Sequence, residues 1–355
     1  MLLRRNETIK APFPYFGGKS RIAPTIWSRL GNPQRFIEPF VGSAATLLGR
    51  PGIDFEDPPN EVINDLDGYL VNAWRAIAYS PGKLIELLQR PIVEADLVAV
   101  NNALTENRGL IIPKLKSDEM WNDVEIAAKW LWGISAWLGS GFSSVIAGVK
   151  KPVSGRCGVN CYHGEELQKY IQTLHRRLRG VLICNGSWER VLSDSYTGEG
   201  YVRNAREDGT GTYKSIGVVL DPPYKGDRVM GMYDEDSAEV WDAAADWCRE
   251  HGDDPTYRIA LCGYEGYVEL PGWEEVRWKA VGGFSGSSKD RNSQAVQNAS
   301  RETVWFSPHC YRPRNLLTFR NGAEQQDGVE VVEHQKKVQV PVSKGLKLRR
   351  IAEED

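Results

Sequence analysis

The stretch of this chain best equipped for chemistry is VVLDPPYKG (218–226), an apolar run that ends in Asp-Pro-Pro-Tyr. Proline has no N–H, so this turn presents a carboxylate and carbonyls, all acceptors, beside an aromatic face. Such a site suits a planar ligand with an exocyclic amine. Asp221 and the Pro222 carbonyl can accept both amino hydrogens while Tyr224 stacks on the ring, with Pro223 stiffening the turn. EDPPNE (56–61) is a useful contrast, because it lacks both the strand and the tyrosine and reads as loop.

Two further stretches belong with this one. In FIEPFVGSAATLL (36–48) a short apolar run carrying a carboxylate meets a Gly-Ser turn and then small, helix-tolerant residues. Glycine lets the backbone approach a ligand closely, and the helix that follows offers free N–H groups. In nucleotide-binding folds an acidic residue about 20 positions on commonly takes the ribose hydroxyls; Asp65 stands 23 residues after Gly42. The third stretch, PFPYFGGKS (12–20), combines three aromatics, two glycines and a lysine in a flexible turn apt to close over an adenine or a carboxylate.

These residues need a scaffold. RFIEPF (35–40) reads as a buried strand, 43–49 as the start of a helix, EVINDLD (61–67) as a strand and GYLVNAWRAIAY (68–79) as a helix closed by Ser80-Pro81-Gly82. That order opens a doubly wound sheet, in which ligands bind beyond the carboxyl ends of the strands where strand order reverses. Residues 83–180 are instead helical and Trp-rich, with basic residues at Lys150, Lys151 and Arg156 and in LHRRLRG (174–180). Strand patterning returns at 180–186, 215–224 and 257–264, with a helix at 237–252 and two edge strands in WEEVRWKAV and RETVWFSP. Residues 282–300 are polar and glycine-rich and read as a mobile loop. The tail 311–355 reads as an edge hairpin or a disordered extension.

At 355 residues the chain has room for one large domain or a domain with an insertion. A net charge of −3 rules out a general polycation, so nucleic-acid binding would need basic residues gathered locally. No run is long and apolar enough to cross a bilayer, Met1–Lys10 is too polar for a signal peptide, and six scattered cysteines suit reduced thiols, so a cytoplasmic protein is expected. The tryptophans between 121 and 188 read as helix packing. CGVNCYHG (157–164) offers two cysteines and one histidine, short of a zinc set, and no metal is expected.

Taken together and in this order, PYFGGK, FIEPFVGSA, VINDLD and VVLDPPY resemble the D12 class of DNA adenine N6-methyltransferases, the Dam-like alpha group. The resemblance covers roughly residues 10–310, with 83–180 matching in position more than in sequence. It implies a Rossmann-like methyltransferase sheet (10–82 and 181–310), an inserted, mainly helical target-recognition domain (83–180) and a C-terminal extension (311–355). It implies S-adenosylmethionine as cofactor and double-stranded DNA as substrate, with the target adenine flipped out of the stack.

By the same resemblance, Tyr15, Phe16, Gly17 and Lys19 contact the cofactor, Glu38, Pro39, Phe40, Gly42 and Ser43 line its methionine part, and Asp65 holds its ribose. Asp221, Pro222, Pro223 and Tyr224 form the catalytic tetrapeptide, Asp221 also bordering the cofactor. In CNGSWE (184–189), Trp188 either borders the cofactor adenine or packs in the core. Lys150, Lys151, Arg156, Arg176, Arg177, Lys289 and Arg291 are candidate DNA contacts. Many members have a second glycine where Ala44 or Ala45 stands, so a slightly wider turn is expected.

The tetrapeptide leaves cytosine-N4 methylation open, since that base also offers an amine beside a ring nitrogen. A nicotinamide-dependent oxidoreductase would account for the glycine turn and Asp65 but not for the tetrapeptide. A noncatalytic DNA-binding module would leave the cofactor motifs unexplained. A monomer is expected, with a dimer as the alternative.

Overall fold

The computed structural model describes residues 8–15, 17–118, 120–137, 142–143, 157–200, 215–225, 237–279 and 301–312. Met1–Pro313 forms one unit; Arg314–Asp355 forms a second, which lies outside the described residues.

Short apolar runs bounded by polar turns become seven strands: β1 (Arg35–Glu38), β2 (Asn60–Asp65), β3 (Val181–Asn185), β4 (Ile216–Leu220), β5 (Tyr257–Tyr264), β6 (Glu274–Arg277) and β7 (Glu302–Phe306). Their order across the sheet is β3-β2-β1-β4-β5-β7-β6. β1 pairs in parallel with β2 and with β4, β2 with β3, and β4 with β5. β7 inserts antiparallel between β5 and β6. This is the doubly wound, Rossmann-like sheet that the motif order implied. β4 is buried along its whole length, as a strand covered on both faces must be, hence its unbroken apolar run.

The helix α1 (Ala23–Leu30) precedes β1, and the short α2 (Ala45–Leu48) follows the Gly-Ser turn. α3 (Gly68–Tyr79) starts where Asp67 accepts the Tyr69 N–H, an aspartate N-cap. Pro81, expected to help close α3, instead opens α4 (Pro81–Leu88), because its missing N–H costs nothing in a first helical turn. α5 (Glu94–Glu106), α6 (Arg108–Ser117), α7 (Val124–Ala136) and α8 (Gly164–Arg177) complete a helical layer in which α7 packs on α3, α4 and α5, and α8 runs directly into β3. The tryptophans here are core: Trp74, Trp130 and Trp132 are fully buried. Phe13 inserts against Trp130 (4.9 Å) and Trp74 (6.0 Å), pinning the N-terminal loop to this layer.

The cysteine-bearing segment that might suggest zinc has a packing role. The Val159 N–H donates to the Pro12 carbonyl at 2.7 Å. Gly158, at φ 51°, lets that backbone come so close that a Cβ would meet the Pro12 oxygen at 2.6 Å. Among the described residues no helix is long and apolar enough to cross a membrane, and no His/Cys/Asp/Glu cluster suits a metal.

At the amino end of β2, Glu61 is fully buried between two buried guanidinium groups. Arg50 donates to it at 3.0 Å and Arg177 at 2.9 Å, and Arg177 also reaches the Leu47 carbonyl. This corrects the expectation for Arg177: with 1% of its surface exposed it ties α8 to α2 and β2 and cannot reach a phosphate.

Candidate active site

Strand order reverses between β1 and β4, and the turns leaving these two strands lie side by side. They line a cleft of about 730 Å³, a volume that includes space open to solvent. Tyr15, Gly17, Gly18 and Lys19 come to it from the N-terminal loop; Glu38, Phe40, Val41, Gly42, Ser43, Ala45 and Thr46 from the turn after β1. Asp221, Pro222, Pro223 and Tyr224 come from the turn after β4, and Glu302 from β7. The three motifs, far apart in the sequence, share one site.

Charge organises its floor. The Lys19 ammonium, 4% exposed, lies 2.8 Å from Asp221 Oδ2, donates to the Gly17 carbonyl at 2.7 Å and stands 5.3 Å from the centre of the Tyr224 ring. Burial alone would lower the Lys19 pKa, but the surrounding anions, Asp221 first and Glu302 among them, raise it, so it stays an ammonium. Burial raises the Asp221 pKa, and the Lys19 charge and hydrogen bond oppose that rise. The Tyr224 hydroxyl donates to Glu302 Oε2 at 3.0 Å, while its ring is met edge-on by Tyr264 (4.7 Å) and Tyr267 (6.3 Å).

Glu38, 3% exposed, accepts the Leu47 N–H, yet desolvation pushes its pKa up to about 8, with Asp221 and Glu61 adding to the rise. Among the described lining residues, three carboxyl groups face a single ammonium.

The turn after β1 is held from behind. Asp65, at the carboxyl end of β2, accepts the Gly42 N–H through one oxygen and the Asp67 N–H through the other, each at 3.0 Å. Its pKa is raised by burial to about 7. Gly42 has φ 47°, and the Tyr15 ring closes over it so tightly that a Cβ would sit 2.7 Å from the ring. Ala44 takes φ 55°, ψ 30°, the left-handed conformation a glycine adopts freely, and so carries strain.

Tyr15, Gly17, Lys19, Glu38, Phe40, Gly42, Ser43 and the Asp221–Tyr224 tetrapeptide therefore converge on the cleft. Pro39 contributes its backbone, the carbonyl accepting from Asn64 Nδ2 at 3.0 Å. Asp65 supports the turn instead of lining the cleft. Trp188 is 7% exposed and stacks on Phe40 at 5.6 Å, behind the lining.

Arg176 is 37% exposed and pairs with Glu56 at 3.5 Å, near the amino ends of β2 and β3 and so at the opposite sheet edge from the cleft. Phe16, Lys150, Lys151, Arg156, Lys289 and Arg291 lie outside the described residues, as do the loop 282–300 and the tail from 313. Glu302 was not singled out from the sequence. Its only signal there is a carboxylate at the head of an otherwise apolar strand, RETVWF.

Residues 15–120 match the family model of the D12 class N6 adenine-specific DNA methyltransferases. The Type II methyltransferase M1.LlaDCHI of Lactococcus lactis subsp. cremoris is 36% identical over 90 residues, which span 24% of this chain and 29% of that protein. The rRNA methyltransferase aviRa from Streptomyces viridochromogenes aligns over 84% of this chain and 88% of its own with 14% identity and a TM-score of 0.28.

Proposed function

We propose that this chain, whose residues 15–120 carry the D12 class signature, is a site-specific DNA methyltransferase that transfers a methyl group from S-adenosylmethionine to the N6 amine of a flipped adenine in duplex DNA. The observation that carries the proposal is the meeting of the glycine turn after β1 with the Asp-Pro-Pro-Tyr turn after β4 in one cleft, at the sheet's point of reversal.

Two features support the cofactor. The Gly42 backbone lies so close under the Tyr15 ring that a side chain there would push the ring out of its place in the lining. The lining holds more carboxyl groups than ammonium groups, which suits a cationic ligand. S-adenosylmethionine, when bound, supplies an electrophilic methyl group on a positively charged sulfur. Tyr15, Gly42 and Ser43 would hold it, with Glu38 facing its charge and Asp65 keeping the turn in place.

The rest of the work falls to the chain's own groups. The adenine amine is a weak nucleophile because its lone pair is delocalised into the ring. Asp221 and the Pro222 carbonyl, accepting its two N–H bonds, favour a pyramidal nitrogen with the lone pair localised. Lys19 pairs with Asp221 Oδ2 and would hold the carboxylate in place for the amine. After transfer the nitrogen carries a surplus proton, which leaves to Asp221 or to solvent. The base must be extruded to reach this site, at a cost of a few kcal/mol, part of which stacking on Tyr224 offsets. Orientation and charge placement are thus the enzyme's contribution.

Residues 83–180 are proposed as the target-recognition insertion. Its α6 is linked to the catalytic side by Arg108, 3.6 Å from the α3 cap Asp67. DNA contacts are proposed for Lys150, Lys151, Arg156, Lys289 and Arg291. The test is mass spectrometry of nucleosides from DNA treated with the protein and labelled cofactor. Label in N6-methyladenine supports the reading, label in N4-methylcytosine moves the base assignment, and no labelled base at all removes the function.

A further inference from the structure

Tyr224 is constrained three times over. Two prolines precede it, two tyrosine rings meet it edge-on, and Glu302 accepts its hydroxyl proton at 3.0 Å. The third constraint is the unusual one. Glu302 belongs to β7, 78 residues further along the chain, directly opposite Tyr264 in the β5–β7 register. It is 5% exposed and lines the cleft. A carboxylate buried in such a place is costly unless hydrogen-bonded, and an apolar side chain would pack the head of β7 without that cost.

We propose that Glu302 is a positioning residue for the methyl transfer, anchoring the Tyr224 hydroxyl so that the ring is held facing the flipped base. The proposal rests on the functional reading above and extends it to a residue on the antiparallel edge, outside every motif.

The physical argument starts from the crowding of acceptors. The Tyr224 hydroxyl has one hydrogen to donate, and Asp221 and Glu302 are both within its electrostatic reach. Its 3.0 Å bond to Glu302 fixes the ring's tilt, and an active-site group must be held to within about 10–20° of its productive orientation. Base–aromatic stacking falls away when the ring is free to lean.

The experiment compares Glu302→Gln, Glu302→Ala, Tyr224→Phe and the Tyr224→Phe/Glu302→Ala double variant in the full chain. It measures kcat and KM for DNA, cofactor affinity by calorimetry, and thermal stability. Glutamine still offers an acceptor oxygen, so Glu302→Gln should keep kcat within about threefold of wild type, whereas Glu302→Ala should lose at least about tenfold in kcat, more than it loses in cofactor affinity. In the Tyr224→Phe background, Glu302→Ala should change kcat by less than about twofold, because the group it acts through is gone.

Equal loss in the glutamine and alanine variants, full activity of Glu302→Ala, or effects that multiply in the double variant would each overturn the proposal. A wild-type chain that binds the cofactor but leaves adenine unmethylated overturns the functional reading itself, and this inference with it.

Discussion

Lys19 and Asp221, contributed by the first loop and by the turn after β4, form a 2.8 Å ion pair in which the ammonium is 4% exposed. The pair holds the Asp221 carboxylate in place and opposes the rise in its pKa that burial causes. A change at either residue should therefore be felt at the other.

Replacing Lys19 by methionine removes the charge and hydrogen bond that oppose the raised Asp221 pKa. Asp221 must be ionised to accept the amine, so the acid limb of the pH–rate profile should move to higher pH. Activity should recover on the alkaline side. A profile that keeps its midpoint while only its height falls would show that Lys19 does not control Asp221.

Glu38 and Asp65 have folded-state pKa values raised to about 8 and about 7. Groups raised in this way contribute stability that is full below their unfolded values, near 4, and lost as pH rises through their folded values. The cofactor-free protein should become less stable between about pH 5 and pH 8 and then level off. Affinity for the cationic cofactor should rise over the upper part of that window, as the carboxylates ionise. Melting curves and calorimetry at matched pH values check both trends, and parallel rather than opposite slopes would contradict the assignment.

Asp65→Ala leaves the Gly42 and Asp67 N–H groups without their acceptor. Each buried unpaired group costs about 1–3 kcal/mol, so the variant should melt lower. Cofactor affinity should drop at least tenfold through loss of the Gly42 cradle. Unchanged affinity in a folded variant would detach Asp65 from the site.

Arg177→Ser and Arg176→Ser separate two adjacent arginines. The first strands the buried Glu61 beside a single remaining arginine and should cost about 3–5 kcal/mol. The second removes an exposed pair worth about 0–1 kcal/mol. Denaturant unfolding reads this difference. DNA binding measured against salt should show no loss of slope specific to Arg177→Ser, since that side chain meets no phosphate.

Gly158→Ala should destabilise the fold by at least about 2 kcal/mol, because its φ is left-handed and its Cβ would collide with the backbone of Pro12 and Phe13. Displacing that loop should also weaken cofactor binding through Tyr15 and Lys19. A variant that is less stable but binds the cofactor normally would show that the clamp and the site are independent.

The sequence by itself determined the elements and the chemistry they carry. α3 was read at Gly68–Tyr79 and β5 at Tyr257–Tyr264, and both form over those residues, because apolar periodicity and capping residues are local properties. The acceptor turn of Asp221–Tyr224 was legible for the same reason, since the missing proline N–H groups and the preceding apolar strand lie within a few residues.

Only the tertiary structure decided the partners. Arg176 and Arg177 look alike in a basic run, but helix rotation points one to solvent and the other at Glu61 in a different strand. Asp65 turned out to hold a neighbouring turn by its N–H, and Glu302, one charge at the head of an apolar strand, was placed on Tyr224 by the antiparallel insertion of β7. Burial and pairing depend on which distant segments a side chain meets, and no local pattern encodes that.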